Sequence, residues 1–156
     1  MPCVWLSVSV HDQLVHGAKH ARPNETGGVL AGYHGAHDTI VITDVVGPGP
    51  NAIHGNDYFV PDHQFHRDEI ARIYAASGRI NAYLGDWHSH PDGGTDISKT
   101  DRRTLRRIAT SPLARIAQPL MLIISGGQPW TITIHHAART RWRIRFAQLE
   151  LCERYS

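Results

Sequence analysis

No stretch of this sequence approaches the roughly 20 consecutive apolar residues that cross a bilayer, and no basic segment followed by an apolar one opens it. Neither a membrane span nor a secretory leader is therefore expected, and the protein reads as cytoplasmic. Cysteine is scarce. Cys3 and Cys152 stand near opposite ends, where a pair of terminal strands could bring them together, but two cysteines make no disulfide framework and free thiols are expected. An excess of one charge is also missing: 16 Lys and Arg against 14 Asp and Glu leave +2, too little by itself to argue for nucleic acid. No Gly-Lys-Ser or G-x-G-x-x-G accompanies Gly27 and Gly28, which discounts a phosphate-cradling loop. Internal repeats, low-complexity tracts and linkers are absent from the sequence as well.

What is present is enough for one domain. At 156 residues a chain buries about 70% of its unfolded surface. The β-branched and aromatic residues over 3–10 predict an opening strand, followed by a helix over 11–21 that Pro23 closes. A glycine-containing strand over 27–33 and a strong strand over 39–46 predict a hairpin. The Gly-Pro-Gly-Pro break at 47–50 starts a loop to about 56 that could border a substrate groove or merely connect. A short strand at 57–60 precedes a helix from Pro61-Asp62 to about 77, with Ile70, Ile73 and Tyr74 inward. A central strand over 80–90 and a helix over 98–110 follow. On that helix Leu105, Ile108 and Ala109 face inward, and Arg102, Arg103, Arg106 and Arg107 face largely outward. The apolar run at 120–124 reads as a buried strand, and a turn at 126–129 leads into another strand over 130–136.

The sharpest period-two segment is 139–146, where four arginines alternate with Thr140, Trp142, Ile144 and Phe146. It predicts a strand with one core face and one solvated face. The arginine row reads as a soluble, aggregation-resistant edge or as a contact for an acidic partner. Nucleic-acid binding through the arginine faces, which would reveal itself by steep salt dependence, is not expected. The whole is expected to be one domain over 1–156, α+β or α/β, a mixed sheet with helices packed around it.

The chemistry concentrates between Tyr83 and Asp101. His88 and His90, two apart at the end of an apolar strand, lie on one face because side chains alternate with period two. The loop after His90, with Gly93 and Gly94 to turn it, can bring Asp101 back to the same point. Two imidazoles and one carboxylate suit zinc, whose catalytic sites commonly keep three protein ligands and an open position for water. Water there reaches a pKa near 7, the chemistry of a hydrolase. Ser98-Lys99-Thr100-Asp101 reads equally as a capping box opening the next helix, and the two uses are compatible. Of the twelve histidines, the pairs His16 and His20, His63 and His66, and His135 and His136 lack such an arrangement and read as surface residues.

Glu25-Thr26-Gly27-Gly28, His88-Ser89-His90-Pro91 and Ser98-Lys99-Thr100-Asp101 together resemble the signature of the JAMM (MPN-plus) zinc metallopeptidases, with every position matched. The resemblance implies that His88, His90 and Asp101 bind one Zn2+, that Glu25 is the general base and acid, and that Ser98 donates a hydrogen bond to the developing oxyanion. It implies a curved sheet between helices, and cleavage after the C-terminal glycine of a ubiquitin-like modifier or conjugated protein joined to a lysine. The Pro-Gly-Pro loop, Phe59-x-Pro61-Asp62 and the run from Gly85 to Pro91 look most like bacterial JAB peptidases, including those of cyclic-oligonucleotide (CBASS) anti-phage operons. That likeness implies partners such as E1- and E2-like enzymes and a nucleotidyltransferase. Trimming of a small sulfur-carrier or ubiquitin-like protein is the alternative enzyme role, and a non-catalytic MPN scaffold is the alternative outside enzymes.

Overall fold

A computed structural model describes residues 2–155 other than 117 and 128, with the side chains of 153–155 also outside the described set. The elements run β1 (Cys3–Ser7), α1 (Val8–Ala21), β2 (Gly27–His34), β3 (Thr39–Val46), β4 (Ile53–His54), β5 (Phe59–Val60), α2 (His63–Ala76), β6 (Ala82–His90), α3 (Lys99–Thr110), β7 (Leu120–Gly126), β8 (Trp130–Arg139) and β9 (Ile144–Tyr155). Seven strands pair in the order β1-β3-β2-β6-β7-β8-β9, and β1 meets β9 in parallel, so the curved mixed sheet closes into a barrel. The pair β4 and β5 forms a separate small ribbon.

The apolar run of β7 is explained by burial on both faces. Leu120, Leu122 and Ile124 join Val10, Leu14 and Ala18 of α1 in the main core. Met121 and Ile123 face the other way, against Leu105 and Ala109 of α3. A third cluster seats α2, where Ile73 packs with Val29, Ala31 and Val46. Ile70 lies partly buried against it, whereas Tyr74 is exposed and Ile108 on α3 is only half-buried.

One irregularity sets the phase of β6. The β2–β6 register slips between Leu30 opposite Gly85 and Ala31 opposite Tyr83, leaving Leu84 as an extra residue. Gly85 sits at φ +148°, a conformation that favours glycine, and a Cβ there would lie 2.6 Å from the Leu120 nitrogen. Past this bulge Leu84 and Trp87 both enter the main core. Trp87 and Ser89 then face that core while Asp86, His88 and His90 face the opposite side.

Several expectations are corrected. The opening strand ends at Ser7, not residue 10, because the Ser7 hydroxyl accepts the Val10 N–H and starts α1 three residues early. The period-two segment at 139–146 is not one strand. It bends between β8 and β9, where Thr140 N–H and Oγ1 both donate to the Arg143 carbonyl at 2.8 Å and Arg143 N–H returns to Thr140 Oγ1 at 3.1 Å. Trp142, expected on a core face, is 83% exposed at the tip. Cys3 and Cys152, expected as free thiols, form a disulfide across the β1–β9 seam, with a Cα–Cα distance of 5.7 Å that suits the bond. His66, His135 and His136 are buried rather than superficial: His66 Nε2 donates to the Gly47 carbonyl at 2.8 Å, and His135 Nε2 donates to the Thr95 carbonyl at 3.2 Å. Of the turn expected at 126–129, Gln128 lies outside the described residues. No helix among the described residues is long and apolar enough to cross a membrane.

Candidate metal centre

The C-terminal end of β6 delivers His88 and His90 on one face, and α3 presents Asp101 from its first turn. One ligand atom from each lies within 4.8 Å of the others. His88 Nδ1 is 2.9 Å from Asp101 Oδ1, and His90 Nε2 is 3.6 Å from Asp101 Oδ2. His90 Nδ1 donates to the Gly94 carbonyl at 3.3 Å, which leaves Nε2 with its lone pair toward the carboxylate. Among the described residues this is the one cluster of three or more potential ligands. Two imidazoles and a carboxylate this close fit a single divalent ion of the zinc type.

Asp101 is held where it is by the helix start. Ser98 Oγ accepts the Asp101 N–H at 3.0 Å, and Asp101 Oδ2 accepts the Ser98 N–H at 3.1 Å, a complete capping box. Both readings of this four-residue piece therefore describe the same geometry. Burial pushes the Asp101 carboxyl upward, but the hydrogen bond and charge of His88 and the bonds from Ser98 outweigh it and hold the pKa down to about 2. The neighbouring Asp86, also on this face, accepts the Tyr83 hydroxyl at 2.6 Å, and burial raises it.

Glu25 reaches the same place through strand pairing. Gly27 lies opposite His88 in the antiparallel β2–β6 ladder. Ser89 N–H donates to the Thr26 carbonyl at 2.9 Å, which carries the register one step further and sets Glu25 opposite His90. The segment is pinned on both sides. Ser89 Oγ accepts the Thr26 N–H at 2.9 Å, Glu25 N–H donates to the Gly55 carbonyl at 2.8 Å, and His54 Nδ1 donates to the Glu25 carbonyl at 3.0 Å. Burial raises the Glu25 pKa, against the attraction of His90 and His88. The ladder thus runs the Glu25 segment alongside the end of β6 that carries both histidines.

Ser89, His54 and Phe59 support the centre without having been expected to. Ser89, fully buried between the two histidines, fastens the Glu25 segment to β6. Phe59 sets its ring edge-on to His88, with centroids 5.8 Å apart. Strict alternation along β6 was the one signal for Ser89, since the residue between two outward histidines must point inward. The loop at 47–56 borders a cavity of about 1140 Å³ beside α1, with Gly47, Pro48, His54 and Thr26 in its wall and none of His88, His90 and Asp101 lining it.

Residues 7–145 match the family model described as prokaryotic homologs of the JAB domain. The chain belongs to the prokaryotic JAB family. It is 36% identical to the probable metalloprotease y4qB of Sinorhizobium fredii, across 94% of this chain and 91% of that protein. It is 30% identical to a CD-NTase/cGAS isopeptidase of Enterobacter hormaechei, across 81% of this chain and 68% of that protein. The solution structure of protein DSY2949 from Desulfitobacterium hafniense shares the fold, with a TM-score of 0.69 at 21% identity, covering 97% of this chain and 94% of that one.

Proposed function

We propose that this JAB-family metallopeptidase is a zinc enzyme that hydrolyses an amide or isopeptide bond after the C-terminal glycine of a ubiquitin-like modifier or conjugated protein. In the most specific form of this reading it removes a conjugate from a nucleotidyltransferase in an anti-phage, CBASS-type setting. The names of the isopeptidase relatives support a nucleotidyltransferase conjugate as the target. The observation that carries the chemistry is the strand register that sets Glu25 opposite His90, beside the cluster of His88, His90 and Asp101.

His88, His90 and Asp101 would hold the ion. Zinc, when bound, acidifies a water and polarises the scissile carbonyl. Glu25 takes the proton from the attacking water and returns it to the leaving amine, a shuttle suited to a carboxylate outside the ligand set. Ser98 keeps its hydroxyl hydrogen available while its oxygen caps α3, so it donates where negative charge develops. A glycine tail suits the site because an extended segment without side chains can lie along a strand edge.

The test is a panel of linear and lysine-linked fusions joined through a terminal glycine, treated with zinc-loaded wild type and Glu25→Gln. Wild type is expected to cut after the glycine, and the variant to lose a factor of roughly a hundred to ten thousand in turnover while keeping its metal. Equal cleavage by both proteins, or loss of zinc from Glu25→Gln, would remove Glu25 from this role. Zinc-loaded wild type that cuts no fusion would sink the substrate class.

A further inference from the structure

The charge of this chain is small in total and lopsided in place. After Asp101 the sequence carries ten arginines and two acidic residues, Glu150 and Glu153. The fold gathers much of that charge onto one face. Arg102 and Arg106, one turn apart on α3, hold their guanidinium groups 5.7 and 5.8 Å from the Phe146 ring centroid on β9. Arg139, opposite Ile144 in the β8–β9 ladder, continues this face toward the hairpin tip, where Arg141 and Arg143 are exposed, whereas the exposed Arg145 stands opposite Ala138 on the other side. Among the described residues none of these six arginines takes part in an ion pair. At the hairpin tip Trp142 is 83% exposed, with the Arg141 guanidinium 4.9 Å from its ring centroid.

We propose that this face of α3 and the β8–β9 hairpin is a docking surface for single-stranded nucleic acid. Charge complementarity alone would admit any polyanion, and Trp142 narrows the choice. A large aromatic ring held in water among arginines offers a stacking platform that any unpaired base can use, while the guanidinium groups neutralise the flanking phosphates. The spacing agrees. Arginines four apart on a helix stand about 6 Å apart along its axis, so Arg102 and Arg106 track a backbone whose charges repeat at short intervals, and Arg139, Arg141 and Arg143 extend the charge to the hairpin tip. The small net charge of the whole chain does not oppose this, because the field that steers a polyanion is local. The inference does not depend on the proposed peptidase reaction.

The probe is a labelled oligothymidylate of about 20 nucleotides and its oligouridylate counterpart, followed by fluorescence anisotropy with the full chain. Binding is expected, and with about four phosphates neutralised its affinity should fall on the order of fifty-fold between about 50 and 200 mM salt. Trp142→Ala should weaken it roughly tenfold to a hundredfold. Arg141→Ala with Arg143→Ala should lower the salt slope by about 1.4, whereas Arg67→Ala with Arg72→Ala on α2 should leave it unchanged. These positions are exposed, and thermal melting checks that the variants fold. No binding at the lower salt, or binding indifferent to Trp142→Ala, overturns the proposal. Polyglutamate bound in preference to either oligonucleotide overturns it in favour of an acidic protein partner.

Discussion

Gly27 lies directly opposite His88 in the β2–β6 ladder, and a Cβ at that glycine would meet the Trp87 carbonyl oxygen first and stand 2.7 Å from His88 Cδ2 and 3.0 Å from Phe59 Cε1. The missing side chain is what lets the imidazole rest across β2 with Phe59 at its edge. Gly27→Ala is therefore expected to push His88 away from Asp101. The variant should lose stability by about 1 to 3 kcal/mol from overpacking and release zinc to a chelator faster than wild type. Unchanged metal retention with unchanged melting would show that both the ring and the β6 backbone at Trp87 have room to move.

Ser98 has a structural duty and a proposed chemical one, and substitution can separate them. Ser98→Ala removes the acceptor that caps α3, expected to cost about 1 kcal/mol, together with the hydroxyl donor. Turnover should fall roughly tenfold to a thousandfold by analogy with lost oxyanion donors. Ser98→Asp restores a capping acceptor and supplies no donor at neutral pH, so it should recover the melting temperature without recovering turnover. Recovery of both would reduce Ser98 to a cap.

Much of this centre was legible because period and spacing carry it. His88 and His90 share a face in any strand, and Ser98 to Asp101 is a helix start wherever it occurs. Glu25 was legible by resemblance alone, since its position depends on a ladder between strands more than sixty residues apart in sequence, with Thr26 paired to Ser89. The bulge at Gly85 was invisible for a similar reason: glycine in a strand signals close approach without saying where the phase shifts. Across a two-residue tip Arg139 falls opposite Ile144, so the arginines change face, and the alternation at 139–146 misled by reading as one continuous strand. Only the hydrogen bonds between Thr140 and Arg143 break it. The inward histidines deceived in the opposite direction, because buried His66 and His135 are satisfied by backbone carbonyls that belong to distant loops.

The Cys3–Cys152 bond closes nearly the whole chain, with a sequence separation of 149. Loop-closure entropy assigns such a link about 5 kcal/mol as an upper figure. A reductant should lower the guanidinium midpoint of wild type and leave Cys3→Ser unaffected. If reductant changes neither protein, the thiols are free in solution and the β1–β9 seam holds by its ladder and core contacts alone.

Without its ion, the cluster contains a charge pair whose pH dependence runs opposite to that of metal binding. Burial disfavours the His88 imidazolium, but the hydrogen bond and charge of Asp101 prevail, and its pKa lies above the ordinary 6.5. A raised value means that the folded chain holds this proton more tightly than the unfolded one. The stabilisation is complete below about pH 6.5 and disappears as pH climbs through the raised pKa. Asp101, held down to about 2 from 3.8, stabilises above its unfolded pKa and loses that contribution as pH falls toward 2. The metal-free protein should therefore gain most from the pair between about pH 4 and 6.5 and melt at lower temperature as pH rises beyond that window. Zinc demands a neutral imidazole, so the increment in melting temperature on adding zinc should grow over the same rise in pH. Calorimetry with chelator and with zinc from about pH 5 to 8 measures both trends, and Asp101→Asn should flatten the first and abolish the second. A chelated protein that grows more stable from pH 6.5 upward would mean that His88 is neutral in the metal-free fold.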